Sequence, residues 1–554
     1  GSLCVCWNEY EMFGIKVLNQ SVIYVILLFI ITLLTRLIRI GSPNAIIYDE
    51  FHTITFASRL KLNQFVFDLN PPFAHLLYST LPVGSYSTDN QPGKHFVPLN
   101  SGVPPPHWFS LSIHRSLNLL SGSISVPLAY IIARQLNISV AGSLLAASFL
   151  FFDPLHAILS RLALPDMIAL LLLQITYMLV LCTCSITETH FISSQNVTFK
   201  DKKESKVQIQ SVQAEKSMKK SVLLRRLLVV LSGMFAGLAL STRWTAYSGA
   251  LMLIVVVCFG MWPLVSRPFP ILDVILAFLS IFITYFCVIL VFLELSQISA
   301  SGSDFVSERF KNGLIQTPQN CSLTASESNA LSNPLPICSQ LEIRNASIIA
   351  GNNRAFGWRI HNVFEYSKLM FQYSRLTEHG KQPWDTPWYQ WLICWRGILL
   401  YSTQTTTPEG PKMHVLYGIS NPVMNIIVVF FGMVCISMLG ILVRGRSWLH
   451  ASILNSIRPI IAIGCFIATA WISTLLPTLI LYKRGPITQY LPALFFAQLL
   501  AALTIDVVPN KAKNLIISLI ISLLFITYIM YSPWIYFVPH SQTLYNALCI
   551  LPSW

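Results

Sequence analysis

The sequence predicts an all-α polytopic membrane protein, on three observations. Hydrophobic residues make up 54% of the 554-residue chain and charged residues 11%, whereas soluble domains carry roughly a quarter charged residues. So little charge cannot cover several soluble domains, which excludes a soluble enzyme, a disordered chain and a disulfide scaffold. Eleven apolar runs recur along the chain, most of them near the ~20 residues a helix needs to cross a bilayer. No internal repeat of roughly 20–50 residues accompanies them, so they are not the helices of a solenoid.

In chain order the runs are 22–38, 113–135, 138–155, 165–185, 225–242, 244–263, 270–295, 423–443, 455–481, 489–505 and 513–536. No signal peptide separate from the first run is expected. Polar gaps lie at 40–112, rich in Pro, Asn, Ser and aromatics, at 186–224, and at 296–422. With eleven spans, gaps 40–112 and 296–422 share one face and gap 186–224 lies on the other. The chain then divides into an N-terminal transmembrane half (1–295) carrying the first large loop, a second large loop (296–422), and C-terminal helices (423–554).

Charge chooses the orientation. The chain carries a net +14, and Lys and Arg collect in cytoplasmic loops. Lys200, Lys202, Lys203, Lys206, Lys216, Lys219, Lys220, Arg225 and Arg226 lie in or beside gap 186–224. Arg444, Arg446, Lys511 and Lys513 fall on the same side. The N-terminus is therefore expected in the cytoplasm, and both large loops outside it. Residues 198–220 are expected to form a flexible loop. Of the sequons, Asn320-Cys-Ser and Asn345-Ala-Ser fall in an outer loop, while Asn137-Ile-Ser and Asn196-Val-Thr fall inside and should stay unmodified. Cys321 and Cys338 share the outer loop, where a disulfide and two free thiols are equally open. The twelve cysteines show no metal-ligand spacing, and Cys182 and Cys184 read as core residues.

The outer loops carry the chemistry. Asp49 and Glu50 closely follow an apolar triplet at the membrane surface. Neighbouring carboxylates can divide into base and substrate-orienting group, or can be an ordinary hydrated pair. Phe65 to His75, with Asp68, Asn70 and a double proline, suits an interfacial segment. Arg115, at the outer start of the second run, either snorkels or holds an anion such as a lipid phosphate. Arg161 and Asp166, between the third and fourth runs, either pair with each other or serve the same site. Together these residues suit work on a lipid-linked substrate with an anionic headgroup. A transporter ranks behind an enzyme, because the runs are largely free of mid-span charges.

At these residues the chain resembles the protein O-mannosyltransferase family, membrane glycosyltransferases of the GT-C class. The resemblance rests on Arg36 thirteen residues before Asp49-Glu50, Asp68-Leu-Asn70-Pro71-Pro72, His114-Arg115-Ser-Leu-Asn118 and Arg161-Leu-Ala-Leu-Pro-Asp166. Trp384–Trp388, Trp391–Gly397, Tyr417–Pro422 and Tyr490–Leu494 continue it in order. The chain departs from the family pattern at Asn70 (usually His), His75 (usually Lys) and Gln489 (often His). Loop 296–422 is too short for the MIR domain usual in eukaryotic members.

The resemblance implies a GT-C fold of about eleven helices with two large lumenal loops. It implies transfer of mannose from dolichyl phosphate mannose to Ser/Thr hydroxyls of secretory proteins, with inversion, at the lumenal face of the endoplasmic reticulum. Asp49 is then the base and Glu50 orients the acceptor. Arg115 first, with Arg36 and Arg161 behind it, would hold the donor phosphate. Asp68, Asn70, His75 and Asp166 would support the substrate site. No metal or other cofactor is expected, since an arginine can supply the charge. Expected partners are the lipid donor, acceptor proteins and another family member in a homo- or heterodimer; nucleic acid is not expected. Two alternatives stay open: a non-catalytic subunit of such a dimer, and a related GT-C transferase using another polyprenyl-phosphate sugar. The aromatics of 349–395 either line an acceptor path or pack at the interface.

Overall fold

The computed structural model describes residues 10–47, 49–81, 110–200, 207–260, 268–316, 340–376, 384–408, 410–444, 451–477 and 484–551. The described part of each apolar run is largely helical. The helices are α1 Tyr10–Leu37, α2 Glu50–Lys61, α3 Phe73–Ser79, α4 Leu111–Gln135, α5 Val140–Phe151, α6 Pro154–Leu159, α7 Pro165–Lys200 and α8 Val207–Leu240. They continue with α9 Ser248–Phe259, α10 Ile271–Leu295, α11 Gln340–Asn353, α12 Phe356–Leu376, α13 Pro422–Arg444, α14 Ala451–Pro477, α15 Leu491–Asp506 and α16 Asn510–Met530. Among the described residues, six helical stretches are long and apolar enough to cross a membrane, and five more apolar helices are shorter. The chain is a multi-pass membrane protein.

In the first half α4 packs on α1, α5 and α7, α7 packs on α8, and α8 on α10. In the second half α15 packs on α13 and α14 and also against α5, which joins the halves. Helix α15 is buried on all sides, whereas α10 and α16 expose Ile271, Phe282, Leu515 and Leu519. Lipid tails are as apolar as leucine, so such faces are stable in a bilayer and need no protein cover.

Close approach, not apolar burial, joins helices in lipid. Gly233 and Gly237 of α8 provide it. A Cβ on Gly237 would lie 2.8 Å from Thr284 Cβ and 2.9 Å from the Ile281 carbonyl oxygen of α10, and one on Gly233 would collide with the Ser280 hydroxyl. Near the start of this interface Arg225 and Arg226 donate to buried Asp273, at 2.7 and 3.4 Å.

The expected flexible loop at 198–220 is corrected. Helix α7 runs to Lys200 and α8 starts at Val207, so the described parts of the stretch are helical; they are rich in Lys and Gln, which favour helix without needing burial. Cys321, Cys338 and Asn320 lie outside the described residues.

The described part of the first loop folds into α2 and α3. In the second loop, Trp358 and Tyr366 of α12 pack with Phe65, Phe292 and Phe310, and Trp391 is fully buried. These three aromatics are core. Strand β1 Thr386–Pro387 pairs with β4 Arg484–Gly485, and β2 Ile398–Thr407 with β3 Gly410–Gly418, both antiparallel. The base of the β2–β3 ribbon adjoins α6, where the Asn421 N–H donates to Asp153 Oδ1 at 3.1 Å.

Candidate active site

The adjacent carboxylates Asp49 and Glu50 face different surroundings. Glu50 is the first residue of α2 and is fully buried. Its Oε1 accepts from Arg115 Nε and from the Ala163 N–H, both at 2.8 Å. Its Oε2 accepts from Arg115 Nη2 at 2.8 Å and the Ile47 N–H at 3.3 Å. Arg115 also donates to the carbonyls of Ile40, Pro43 and Ala45 at 3.0–3.2 Å. All five guanidinium N–H groups are thereby used.

This geometry corrects two expectations. Arg115 has no donor left for a phosphate, and Glu50 has no free face for an acceptor. The pair instead ties loop 40–50 and the turn after α6 to α4. Asn118, one turn further along α4, completes the tie by donating to the Leu162 and Leu164 carbonyls at 2.5 and 2.6 Å.

Asp49 stands at the N-cap of α2, half-buried, with no side-chain capping bond. Among the described residues its carboxylate has no hydrogen-bond or ion-pair partner. Burial raises its pKa above the ordinary carboxylate value; Arg243 and His52 oppose the rise, and Asp166 and Asp68 add to it. Those neighbours define the rest of the site.

Arg243 sits in extended backbone just past α8, and its Nη2 donates to Asp166 Oδ2 at 2.9 Å. The expected Arg161–Asp166 pair is therefore replaced. Arg161 donates to the carbonyls of Arg39 and Ile535 and lies over the Tyr536 ring. Arg36 donates to the Tyr528 hydroxyl at 2.8 Å and the Phe151 carbonyl at 2.7 Å, stacked on Phe151. Both arginines tie the N-terminal half to the C-terminal segment. None of these contacts reaches Asp49, and the Nε of each arginine is buried without a hydrogen-bond partner among the described residues.

The double-proline segment closes another side. Asp68 Oδ2 lies 2.7 Å from His75 Nε2, and Oδ1 accepts from the Leu69 N–H at 2.6 Å. Burial would raise the Asp68 carboxyl, but the bonds from His75 and from the Asn70 and Leu69 N–H groups outweigh it and hold the group below its ordinary value. Asn70 thus contributes through its backbone. The Leu69 carbonyl accepts from Trp244 Nε1 at 2.9 Å and Ser374 Oγ at 3.2 Å, which fixes this segment to the Arg243 turn and to α12.

The site thus comprises Asp49, Asp68–His75 and Asp166–Arg243: one carboxylate without a partner beside a partly exposed arginine. Sequence reading missed Arg243 and His52. The signal for Arg243 was present, since it lies between apolar runs five and six, on the face that carries both large loops. No group of three His, Cys, Asp or Glu side chains among the described residues could hold a metal ion.

Comparison with known proteins bears on the family and the fold. The family model described as dolichyl-phosphate-mannose-protein mannosyltransferase matches residues 26–199. The model described as the C-terminal four TMM region of protein-O-mannosyltransferase matches residues 359–554, which include α13, α14, α15 and α16. Dolichyl-phosphate-mannose–protein mannosyltransferase 4 of Candida albicans is 31% identical over 161 residues, 28% of this chain and 20% of that protein. Protein O-mannosyl-transferase 1 of Danio rerio is 29% identical over 144 residues, 26% of this chain and 19% of that protein. The match thus spans about a fifth of these relatives' length. A chain of the Saccharomyces cerevisiae protein O-mannosyltransferase Pmt1-Pmt2 complex bound to the sugar donor superposes with a TM-score of 0.69 at 13% identity, over 97% of this chain and 92% of that one. Its fold is the fold of this chain. With both family models matching in order across most of its length, the chain belongs to the protein O-mannosyltransferase family.

Proposed function

We propose that this chain transfers mannose from dolichyl phosphate mannose to Ser/Thr hydroxyls of secretory-pathway proteins, with inversion, at the lumenal face of the endoplasmic reticulum membrane. The observation that carries the reading is the Asp49 carboxylate, unpaired among the described residues and beside Arg243, in a chain of this family. An inverting transfer needs one base on the acceptor side. The acceptor oxygen attacks the anomeric carbon, Asp49 takes its proton, and the carbon–oxygen bond to phosphate breaks with its electron pair leaving on dolichyl phosphate. Arg243, whose charge acts on that base, supports the developing phosphate charge. Asp166 orients Arg243, and the Asp68–His75 pair holds the double-proline segment. No metal takes part in the proposed reaction.

Eleven spans with a cytoplasmic N-terminus remain the proposed topology, supported by the basic residues around 200–226. A second family member is the proposed partner, supported by the paired assembly of the yeast structure.

The test is transfer of labelled mannose from dolichyl phosphate mannose to a Ser/Thr peptide by membranes containing the chain. Wild type should be active and Asp49→Asn nearly silent. An Asp49→Asn variant at the wild-type rate would remove the base assignment. Transfer of a different sugar in a donor panel, with no mannose transferred, would replace the donor.

A further inference from the structure

The β2–β3 ribbon carries hydroxyls that the reaction above does not use. Ser402, Thr403, Thr405 and Thr406 fall within five consecutive positions of β2, and all four are exposed. Pairing of Thr403 with His414 and Thr405 with Lys412 places Thr403 and Thr405 on one face, and strand alternation places Ser402 and Thr406 on the other. The run from Gly397 to Thr407 contains no charged residue.

The ribbon is held elsewhere. Met413 of β3 exchanges two backbone bonds of 2.9 Å with His540, which covers the β3 edge. Tyr401 and His414 lie against the Phe537 ring. The outer edge of β2 pairs with no described strand. An extended backbone with exposed hydroxyls and an open edge is accessible to a second protein surface, which a Ser/Thr acceptor requires.

The ribbon is also joined at its base to the candidate site. Its base runs through Gly418 to Asn421, which bonds to Asp153 at the start of α6. Helix α6 leads through the turn at Arg161 directly to Asp166, the partner of Arg243 beside Asp49.

We propose that this hydroxyl run is an acceptor for the enzyme's own reaction, so that copies of the chain are mannosylated on β2. The inference rests on the transferase reading above. In the step, a Ser or Thr Oγ of β2 bonds to the anomeric carbon of dolichyl phosphate mannose. Its proton passes to the Asp49 carboxylate, and dolichyl phosphate departs with the electrons of the broken bond.

The test uses the full chain purified from membranes. Trypsin cleaves after Arg396 and Lys412 and frees segment 397–412 with the whole run. Wild type should carry hexose on this segment, removable by α-mannosidase. Chain made without donor should gain the hexose when dolichyl phosphate mannose is added. A chain with Ser402→Ala, Thr403→Val, Thr405→Val and Thr406→Val should lose it while still mannosylating an added peptide. Asp49→Asn, as the sole copy present, should carry about 10²-fold less or lower still. An unmodified segment on chain that mannosylates the added peptide overturns the self-acceptor proposal and leaves the transferase reading standing. Hexose that persists unchanged in Asp49→Asn overturns it too, because another enzyme then made it. Failure to modify either the segment or the peptide overturns the transferase reading itself.

Discussion

Glu50 and Arg115 close a two-point ion pair across 65 residues of sequence, both N–O distances 2.8 Å and neither side chain exposed. Removing one member leaves the other charge buried and unpaired, which costs ~3–5 kcal/mol. Glu50→Ala and Arg115→Ala should each lower the Tm of the detergent-purified protein and abolish transfer together. An Arg115→Ala protein of normal Tm whose only defect is a raised donor KM would return Arg115 to the phosphate.

Asp49→Asn should behave in the opposite way. Burial raises the Asp49 carboxyl above its ordinary value, so the folded state binds its proton more tightly than the unfolded state does. Stability from this group therefore falls as pH rises from ~3.9 through the folded pKa, and the ionised group is a net cost at neutral pH. Asn removes that cost. Tm at pH 7 should stay level or rise while transfer falls ~10²–10⁴-fold. A clear drop in Tm would mean that Asp49 has a structural partner. The acid limb of the wild-type pH–rate profile should also lie above that of a hydrated aspartate.

Arg243 and Asp166 should be tested together. Arg243→Gln alone strands a buried carboxylate and should destabilise the protein. Arg243→Gln with Asp166→Asn removes both charges and should restore most of the Tm. Transfer by the double variant should still be ~10²–10³-fold slower, the usual effect of losing one transition-state donor. A double variant with wild-type kinetics would end the phosphate assignment.

Asp68 contributes with the reverse sign to Asp49. Its folded pKa lies below the ordinary value, since His75 and two backbone N–H groups outweigh its burial. The stabilisation is fully present above the unfolded pKa of ~3.9 and is lost as pH falls through the folded one. Asp68→Asn should lower Tm at pH 7, and the gap to wild type should shrink in scans taken below pH ~3.9. A gap independent of pH would point to lost hydrogen bonds alone.

Gly237 faces Thr284 with no room for a side chain. Gly237→Leu should force α8 from α10 and destabilise the protein by ~1–3 kcal/mol or more, read as a lower Tm. An unchanged Tm would show that the helices part without cost.

The fold class and most of the helices were legible because hydropathy is local. A run of apolar residues is a span wherever its neighbours lie, so the positions of all eleven runs survive in the helices. The helix at 207–220 was misread because it depends on intrinsic propensity, which a hydropathy reading does not see. Asp49-Glu50 also stood out in the sequence, as two adjacent acids beside an apolar segment.

Which acid does what was decided only by tertiary structure. Glu50 and Asp49 are adjacent in the chain, yet one meets Arg115 and the other a space bordered by Arg243 and Asp166. Those partners come from α4, α7 and the turn after α8, tens to hundreds of residues away. Arginine spacing likewise suggested phosphate ligands at 36, 115 and 161; Arg115 spends every donor on Glu50 and three carbonyls, while Arg36 and Arg161 bond to carbonyls and a tyrosine through their terminal nitrogens and keep a buried Nε without a partner. The arginine left beside the unpaired carboxylate is Arg243, at a helix end that sequence alone reads as a short separator. The sequence determined that this is a membrane-spanning chain with acids and arginines on one face. Desolvation, which favours pairing of buried charges, decided that Glu50 is held by Arg115, while the Asp49 carboxylate has no hydrogen-bond partner among the described residues.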